Sequence, residues 1–100
     1  MFKLIKGYPW YMVSENGEVL SVTRGVLLKP HLCNNGYYSI GLIGEDGVRK
    51  EHSVHRLVAE AFCEKPEGYD DTWEVNHKNH IKTDNNYHNL EWVTHRDNLL

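Results

Sequence analysis

The sequence predicts a small α+β domain in which antiparallel β-hairpins precede one clear helix and a second, shorter strand pair. Three observations predict it: turn residues between apolar runs in the first half, an apolar stripe at helical spacing in the middle, and an Asn-rich segment between two short apolar runs near the end. The chain has 100 residues, 40% of them apolar and 25% charged, which is average for a globular domain. We expect one compact domain, with residues 1–53 as an N-terminal β-strand module.

Two hairpins are predicted within that module. The first is centred on Asn16-Gly17, because Asn-Gly between apolar runs is the strongest local hairpin signal. The second is centred on the Gly- and Asp-containing turn at residues 44–47. The four strands are expected at residues 11–14, 19–22, 36–43 and 48–53.

The clear helix follows the second hairpin. Apolar residues from Val54 to Phe62 fall at i, i+3, i+4, i+7 and i+8, which places them on one face of a helix. Ser53 is the expected N-cap, and Pro66 limits continuation. Residues 73–77 and 90–93 then predict two short strands. Thr94 is expected to cap a last short helix.

The charge balance and the two cysteines exclude several classes of protein. The net charge is −3, with seven basic and six acidic residues in 1–62 but four and eight in 63–100, so a general affinity for nucleic acid is not indicated. No apolar run is long enough to span a bilayer. Cys33 and Cys63 are too sparse for a disulfide scaffold or a structural zinc site. We therefore expect a cytoplasmic protein without membrane contact.

Six asparagines lie between residues 76 and 98. Asparagine favours turns, since it tolerates left-handed conformations and hydrogen-bonds to its own backbone, and this explanation stays open for Asn79, Asn85 and Asn86. It accounts less well for Asn76 and Asn98, because both are expected within regular elements.

Three stretches resemble phage and intron-encoded HNH homing endonucleases. Residues 75–98, VNHKNHIKTDNNYHNLEWVTHRDN, look like the HNH motif. The preceding stretch VHRLVAEAF at 54–62 is similar to the helix before that motif, and YMVSENGEV at 11–19 resembles an N-terminal module that accompanies it. The resemblance covers nearly the whole chain in the right order.

The resemblance implies a ββα-metal (His-Me finger) fold for residues 54–100 and hydrolysis of DNA phosphodiester bonds. His77 would be the general base, and Asn89, twelve residues later, would orient its ring. Asn76 and Asn98 would hold one divalent ion, Mg²⁺ or Mn²⁺. Asn76 stands where the family commonly has Asp, so we expect weaker metal binding, because a carboxylate binds hard cations more strongly than an amide oxygen.

DNA is the partner that the resemblance implies, in the host-cell cytoplasm if the gene is carried by a phage. The N-terminal strands carry the only local excess of positive charge, and a β-ribbon can enter a groove. The residues expected to contact DNA are Arg24, Lys29, Arg49, Lys50 and Arg56, with His55 beside them.

Two other functions stay open at this point. The chain could be a non-catalytic DNA- or protein-binding module that retains the fold, with Asn76 marking a decayed metal site, or an unrelated α+β interaction domain. Because the last predicted helix is short, Leu99 and Leu100 are expected to pack on the domain or on a second copy. Packing on a second copy would give a homodimer, which would also double a weak DNA-binding surface.

Overall fold

The computed structural model describes residues 1–98, which form three antiparallel β-sheets around one central helix. The predicted α+β class is confirmed. The strands are β1 (Phe2–Ile5), β2 (Tyr8–Ser14), β3 (Val19–Ser21), β4 (Val26–Leu28), β5 (His31–Leu32), β6 (Tyr38–Ile43), β7 (Arg49–Ser53), β8 (Glu74–His77) and β9 (Leu90–Val93). The helices are α1 (Val54–Phe62) and α2 (His95–Asn98), with a single 3-10 turn at Tyr87–Asn89.

The first sheet has the order β1-β2-β3-β4. Its central hairpin pairs Val13 with Val19 across the predicted turn, and both side chains are fully buried. Strands β1 and β4, at the two edges, were not predicted. Their side chains are mostly exposed, so neither has the alternation of buried and exposed residues by which a strand is recognised in a sequence.

The second sheet has the order β5-β6-β7, and its β6-β7 hairpin is the second predicted one. Ile40 and Leu42 alternate along β6 and point into the core. The two-residue strand β5 at the edge was not predicted, because a strand this short carries no detectable pattern.

Helix α1 is the predicted helix, and it contacts strands of all three sheets. Val54, Leu57 and Val58 form its buried face, within one continuous core to which each sheet contributes. Ser53 occupies the N-cap position with an extended backbone, but its side chain makes no capping hydrogen bond. Helix packing rather than a side-chain cap therefore stabilises this end.

The last part of the described chain is the predicted strand, loop, strand and helix. Strands β8 and β9 pair with His77 opposite Leu90, and the Thr94 Oγ1 atom accepts a hydrogen bond from the Asp97 N–H, as expected for an N-cap. Leu99 and Leu100, on which the predicted homodimer contact depends, lie outside the described residues. In residues 1–98 no helix has the length and apolar character needed to cross a membrane.

Candidate functional site

His77 lies at the end of β8, with its ring directed into the protein. Its Nε2 atom lies 2.8 Å from the Oδ1 atom of Asn85, and the two residues are only 4% and 5% exposed. An amide oxygen accepts hydrogen bonds and cannot donate them. Nε2 therefore carries the proton, which leaves the lone pair of the neutral ring on Nδ1.

The hydrogen bonds of Asn89 within residues 1–98 go to residues other than His77, so its predicted orienting role stays a prediction. The Asn89 Oδ1 atom accepts from the Asn79 N–H at 3.0 Å, and its Nδ2 atom donates to Asn79 Oδ1 and to the Asp84 carbonyl, both at 2.9 Å. Asn89 is opposite Lys78, one position beyond the pair of His77 and Leu90. Asn89 ends the 3-10 turn before β9, and its side chain fastens the loop to Asn79 and Asp84.

The turn-forming explanation holds for two of the three asparagines for which it stayed open. Asn79 Oδ1 accepts from the Ile81 N–H at 2.9 Å, and Asn86 Oδ1 accepts from the His88 N–H at 3.0 Å. Asn85 differs, since it is buried and its side chain reaches His77. Nothing in the sequence distinguishes Asn85 from Asn86, because the difference depends on which of them faces the core.

Two further rings pack around His77. The ring centroid of His55 lies 4.9 Å from that of His77, and Tyr37 lies 4.9 Å from His55 and 5.6 Å from His77. The Nδ1 atom of His55 is buried without a hydrogen-bond partner among the described residues. Burial, and then the proximity of His77 and Arg56, lowers the pKa of His55 to about 4. His55 is therefore neutral at pH 7 and forms one wall of the His77 site.

Each of the two predicted metal ligands is hydrogen-bonded to a carboxylate. Asn76 Nδ2 donates to Glu91 Oε2 at 3.0 Å, and Asn98 Nδ2 donates to Glu74 Oε1 at 2.8 Å. Glu74 Oε2 also lies 2.7 Å from His95 Nδ1. The hydrogen bond from Asn98 has the largest effect on Glu74, followed by that from His95, and both lower the pKa of its carboxyl group. Glu74 and Asn76 are two residues apart on β8, with Glu91 opposite Asn76, so all three share one face.

This donor set fits a hard divalent cation. A carboxylate only accepts hydrogen bonds, so the amide nitrogens must face the glutamates. The Oδ1 atoms of Asn76 and Asn98 then have no hydrogen-bond partner among residues 1–98. Carboxylate and amide oxygens are the ligands that Mg²⁺ and Mn²⁺ favour. Among the same residues, no group of three or more His, Cys, Asp or Glu side chains is placed to bind a metal.

Glu74 and Glu91 were not predicted as part of the site. The sequence did indicate Glu74, because it lies two residues before Asn76 on a predicted strand and so shares its face. Glu91 lies in the second predicted strand, one residue after its start.

Two of the residues predicted to contact DNA are engaged within the protein. Arg56 Nη1 donates to the Trp73 carbonyl at 3.3 Å, and its guanidinium lies over the Trp92 ring, 5.3 Å from the centroid. Arg49 forms an ion pair of 3.4 Å with Glu51. Its guanidinium also covers Gly41, where a Cβ atom would overlap it.

The other three predicted basic residues are exposed. Arg24 and Lys29 flank β4 at one edge of the first sheet, whereas Lys50 lies on β7, at an edge of the second sheet. The predicted DNA-contact residues are thus distributed over the first sheet, the second sheet and α1. Their contact with DNA stays a prediction.

Comparison with known proteins gives matches over nearly the whole chain. Residues 2–43 match the NUMOD4 motif, and residues 52–100 match the HNH endonuclease family. The chain is 44% identical to the DNA endonuclease I-HmuI of Bacillus phage SP01, over 98% of this chain and 55% of the relative. It is 35% identical to the H-N-H endonuclease F-TflII of Escherichia phage T5, over 99% of this chain and 50% of that protein.

A solved structure described as DNA binding and cleavage by the HNH homing endonuclease I-HmuI has the same fold. The match has a TM-score of 0.89 at 44% identity and covers 99% of this chain and 55% of that one. The chain thus spans about half the length of the relatives that it matches. The resemblance inferred from residues 11–19, 54–62 and 75–98 to the HNH homing endonucleases is confirmed: a NUMOD4 motif at residues 2–43 precedes a region, residues 52–100, that belongs to the HNH endonuclease family.

Proposed function

We propose that this protein is a metal-dependent endonuclease that hydrolyses DNA phosphodiester bonds, with His77 as general base. The observation that carries the proposal is the buried hydrogen bond between His77 Nε2 and Asn85 Oδ1. It orients a neutral imidazole and keeps the proton on Nε2, so that Nδ1 can take the proton of a water molecule that attacks the phosphate.

Asn76 and Asn98 would hold the divalent ion through their free amide oxygens. When bound, the ion supplies positive charge that stabilises the phosphate oxygens as the bond breaks. Glu74 and Glu91 orient these amides through their nitrogens, and they add the negative charge that two neutral ligands lack. Because the amides are weak ligands, we expect metal affinity to rise when the substrate phosphate is present.

DNA is the proposed substrate because the relatives are named as DNA endonucleases or H-N-H endonucleases. Arg24, Lys29 and Lys50 are exposed and would contact phosphates, which attract cations irrespective of base sequence. Action in the host-cell cytoplasm and a homodimer belong to the same proposal. Sedimentation of the purified chain across micromolar concentrations tests the homodimer.

Incubation of the protein with supercoiled plasmid and Mg²⁺ or Mn²⁺ tests the activity. We expect nicked or linear product from the wild type and about 100-fold to 10,000-fold less from His77→Ala, the usual contribution of a general base. DNA binding by His77→Ala should be unchanged. His88→Ala is the matched control, since His88 is exposed in the same region, and it should cleave normally.

A non-catalytic DNA-binding module is the second candidate. The neutral residue at Asn76 and the net charge of −3 favour it, since a neutral ligand weakens cation binding at the site and negative charge repels DNA. Plasmid that is bound but never cleaved, with either metal, would establish this alternative and refute the endonuclease proposal.

A further inference from the structure

We propose that the turn Glu15–Gly17 of the N-terminal hairpin positions Asn85, and through it His77, so that the N-terminal strand module is a structural part of the hydrolytic site. The inference rests on the proposed function of His77. It assigns the module a role besides DNA contact, carried by three consecutive residues that meet three consecutive residues of the Asn-rich loop.

The first two contacts, those of Glu15 and Asn16, are hydrogen bonds. The Tyr87 N–H donates to the Glu15 carbonyl at 2.9 Å, and Asn86 Nδ2 donates to Asn16 Oδ1. The partners are about seventy residues apart in sequence. They therefore fix the loop against the first sheet rather than against its own strands.

The third contact places Gly17 directly against Asn85. A Cβ atom at Gly17 would lie 3.1 Å from the Asn85 Cβ and 3.1 Å from the Val54 Cγ1, which is tighter than normal side-chain packing. Gly17 also has a φ of +87°, which favours glycine. The absence of a side chain at this position lets Asn85 lie against the turn, with its amide directed at His77.

Hydrogen bonds to Ser14 stabilise the turn itself. Ser14, which is 4% exposed, accepts at Oγ from the Asn16 N–H at 3.2 Å and from the Glu18 N–H at 3.0 Å. The Gly17 N–H donates to the Ser14 carbonyl at 3.1 Å. A turn with this many internal hydrogen bonds offers a rigid surface for Asn85.

A rigid backing for Asn85 matters because an unsupported amide can rotate and present either its oxygen or its nitrogen to the ring. With the oxygen toward the ring, His77 is held as the Nε2–H tautomer and Nδ1 is free to accept a proton. With the nitrogen toward it, the tautomer reverses. Displacement of Asn85 should therefore lower the fraction of protein in the active state, and so kcat, with little effect on DNA affinity.

Gly17→Ala compared with Gly7→Ala tests the proposal. Gly7 has a φ of +82°, close to that of Gly17, but a Cβ there meets no atom within 4 Å. The two variants therefore introduce similar backbone strain, and only one displaces Asn85. The readout is the ring ¹⁵N chemical shifts of His77 at pH 8, recorded on the full chain without metal or DNA.

We expect His77 to be a single Nε2–H tautomer in the wild type and in Gly7→Ala, and a mixture in Gly17→Ala. In the plasmid assay, kcat of Gly17→Ala should fall about tenfold, with KM for DNA changed by less than about twofold. Identical His77 shifts in both glycine variants would overturn the proposal. The shifts do not depend on turnover, so a tautomer change in a protein that never cleaves DNA would refute the endonuclease proposal alone.

Asn16→Ala keeps the test decisive if Gly17→Ala does not fold. Asn16 is exposed, so this variant removes the hydrogen bond to Asn86 without placing a larger side chain in the interior. We expect faster hydrogen exchange at the Tyr87 amide and a detectable second tautomer of His77. Unchanged His77 shifts together with faster exchange at Tyr87 would show that the loop moves independently of the ring, which would also overturn the proposal.

Discussion

The ring of His77 and the amide of Asn85 meet in the interior, where His77 Nε2 and Asn85 Oδ1 are 2.8 Å apart. Asn85 is the side chain that hydrogen-bonds to this imidazole, and neither residue has appreciable contact with solvent. Water cannot readily replace a missing partner at a buried site, so the removal of either group leaves the other unsatisfied. The bond should therefore affect both stability and reactivity.

Asn85→Ala should lower both the free energy of unfolding and kcat. Because the buried Nε2–H of His77 loses its acceptor, we expect the free energy of unfolding to fall by about 1–3 kcal/mol. We expect kcat to fall about tenfold to 100-fold, since the ring is then free to rotate. Urea unfolding and single-turnover cleavage of plasmid measure the two effects.

Asn89→Ala is the matched comparison for Asn85→Ala. It removes the hydrogen bonds that hold Asn79 and Asp84, so amides of residues 79–84 should exchange faster with solvent. The tautomer of His77 should be unchanged, because the hydrogen bonds of Asn89 within residues 1–98 go to residues other than His77. If Asn89→Ala altered the His77 ¹⁵N shifts and Asn85→Ala did not, the orienting role would belong to Asn89.

The stability of the protein should fall as the pH decreases from 6.5 toward 4, because of His55. The pKa of His55 is lowered from 6.5 to about 4 in the folded state, so below pH 6.5 the unfolded chain binds a proton that the folded protein does not. Stability is therefore full above pH 6.5 and is lost as the pH falls. One pKa unit corresponds to about 1.4 kcal/mol and solvent reaches part of the ring, so we expect a loss of about 1–2 kcal/mol.

Thermal unfolding of His55→Gln measures this effect, since glutamine is polar but does not titrate. Its stability should depend less on pH between 6.5 and 4 than that of the wild type. His88→Gln, at an exposed histidine, should retain the wild-type dependence. Equal pH profiles for His55→Gln and the wild type would show that His55 is protonated without penalty in the folded protein.

The fold could be predicted from the sequence where burial alternates with a clear period. The hairpin around Asn16-Gly17 and helix α1 were predicted because their apolar residues recur at periods of 2 and 3.6. The edge strands β1 and β4 were missed, because pairing with a neighbour rather than burial makes them strands. Their apolar side chains, such as Leu4 and Leu27, are exposed.

The hydrogen bonds of the candidate site could not be predicted from the motif. The motif indicated Asn76 and Asn98 as ligands, which stays a prediction, but not that each bonds to a glutamate. Asn89 lies in the 3-10 turn before β9, and the hydrogen bonds of its side chain depend on how the loop between β8 and β9 folds back on itself. The role of Gly17 could not be predicted, since it depends on packing between segments about seventy residues apart.

Charge reversal at Lys50 should weaken DNA binding and its salt dependence. Lys50 is exposed and has no ion-pair partner among residues 1–98, whereas Arg49 is paired with Glu51. Removal of one phosphate-binding side chain should reduce the salt slope of log K by about one. We expect this reduction for Lys50→Glu and a smaller one for Arg49→Glu, measured by fluorescence anisotropy between low and physiological salt.

Lys65→Glu is the control for the change in net charge. Lys65 is paired with Glu60 at 2.9 Å, in the loop after α1, and its reversal should leave the salt slope unchanged. If Lys65→Glu lowered the slope as much as Lys50→Glu, overall charge rather than the second sheet would determine affinity.

Asn76→Asp should make the stability of the protein depend on divalent metal. Asn76 donates to Glu91 at 3.0 Å, and aspartate cannot donate, so the variant places two carboxylates in contact. Without metal, we expect the free energy of unfolding to fall by about 1–2 kcal/mol through repulsion and the missing hydrogen bond. With Mn²⁺, the added charge should tighten binding about tenfold and restore stability.

Calorimetric titration with Mn²⁺ and thermal unfolding with and without the metal measure both halves of this prediction. Asn34→Asp is the control, because it adds the same charge at an exposed turn, so its metal affinity should equal that of the wild type. Glu91→Gln in the Asn76→Asp background should relieve the repulsion and recover stability without metal. Unchanged or weaker Mn²⁺ affinity in Asn76→Asp would remove Asn76 from the metal site, since no ligand position gains a negative charge without tighter binding of a hard cation.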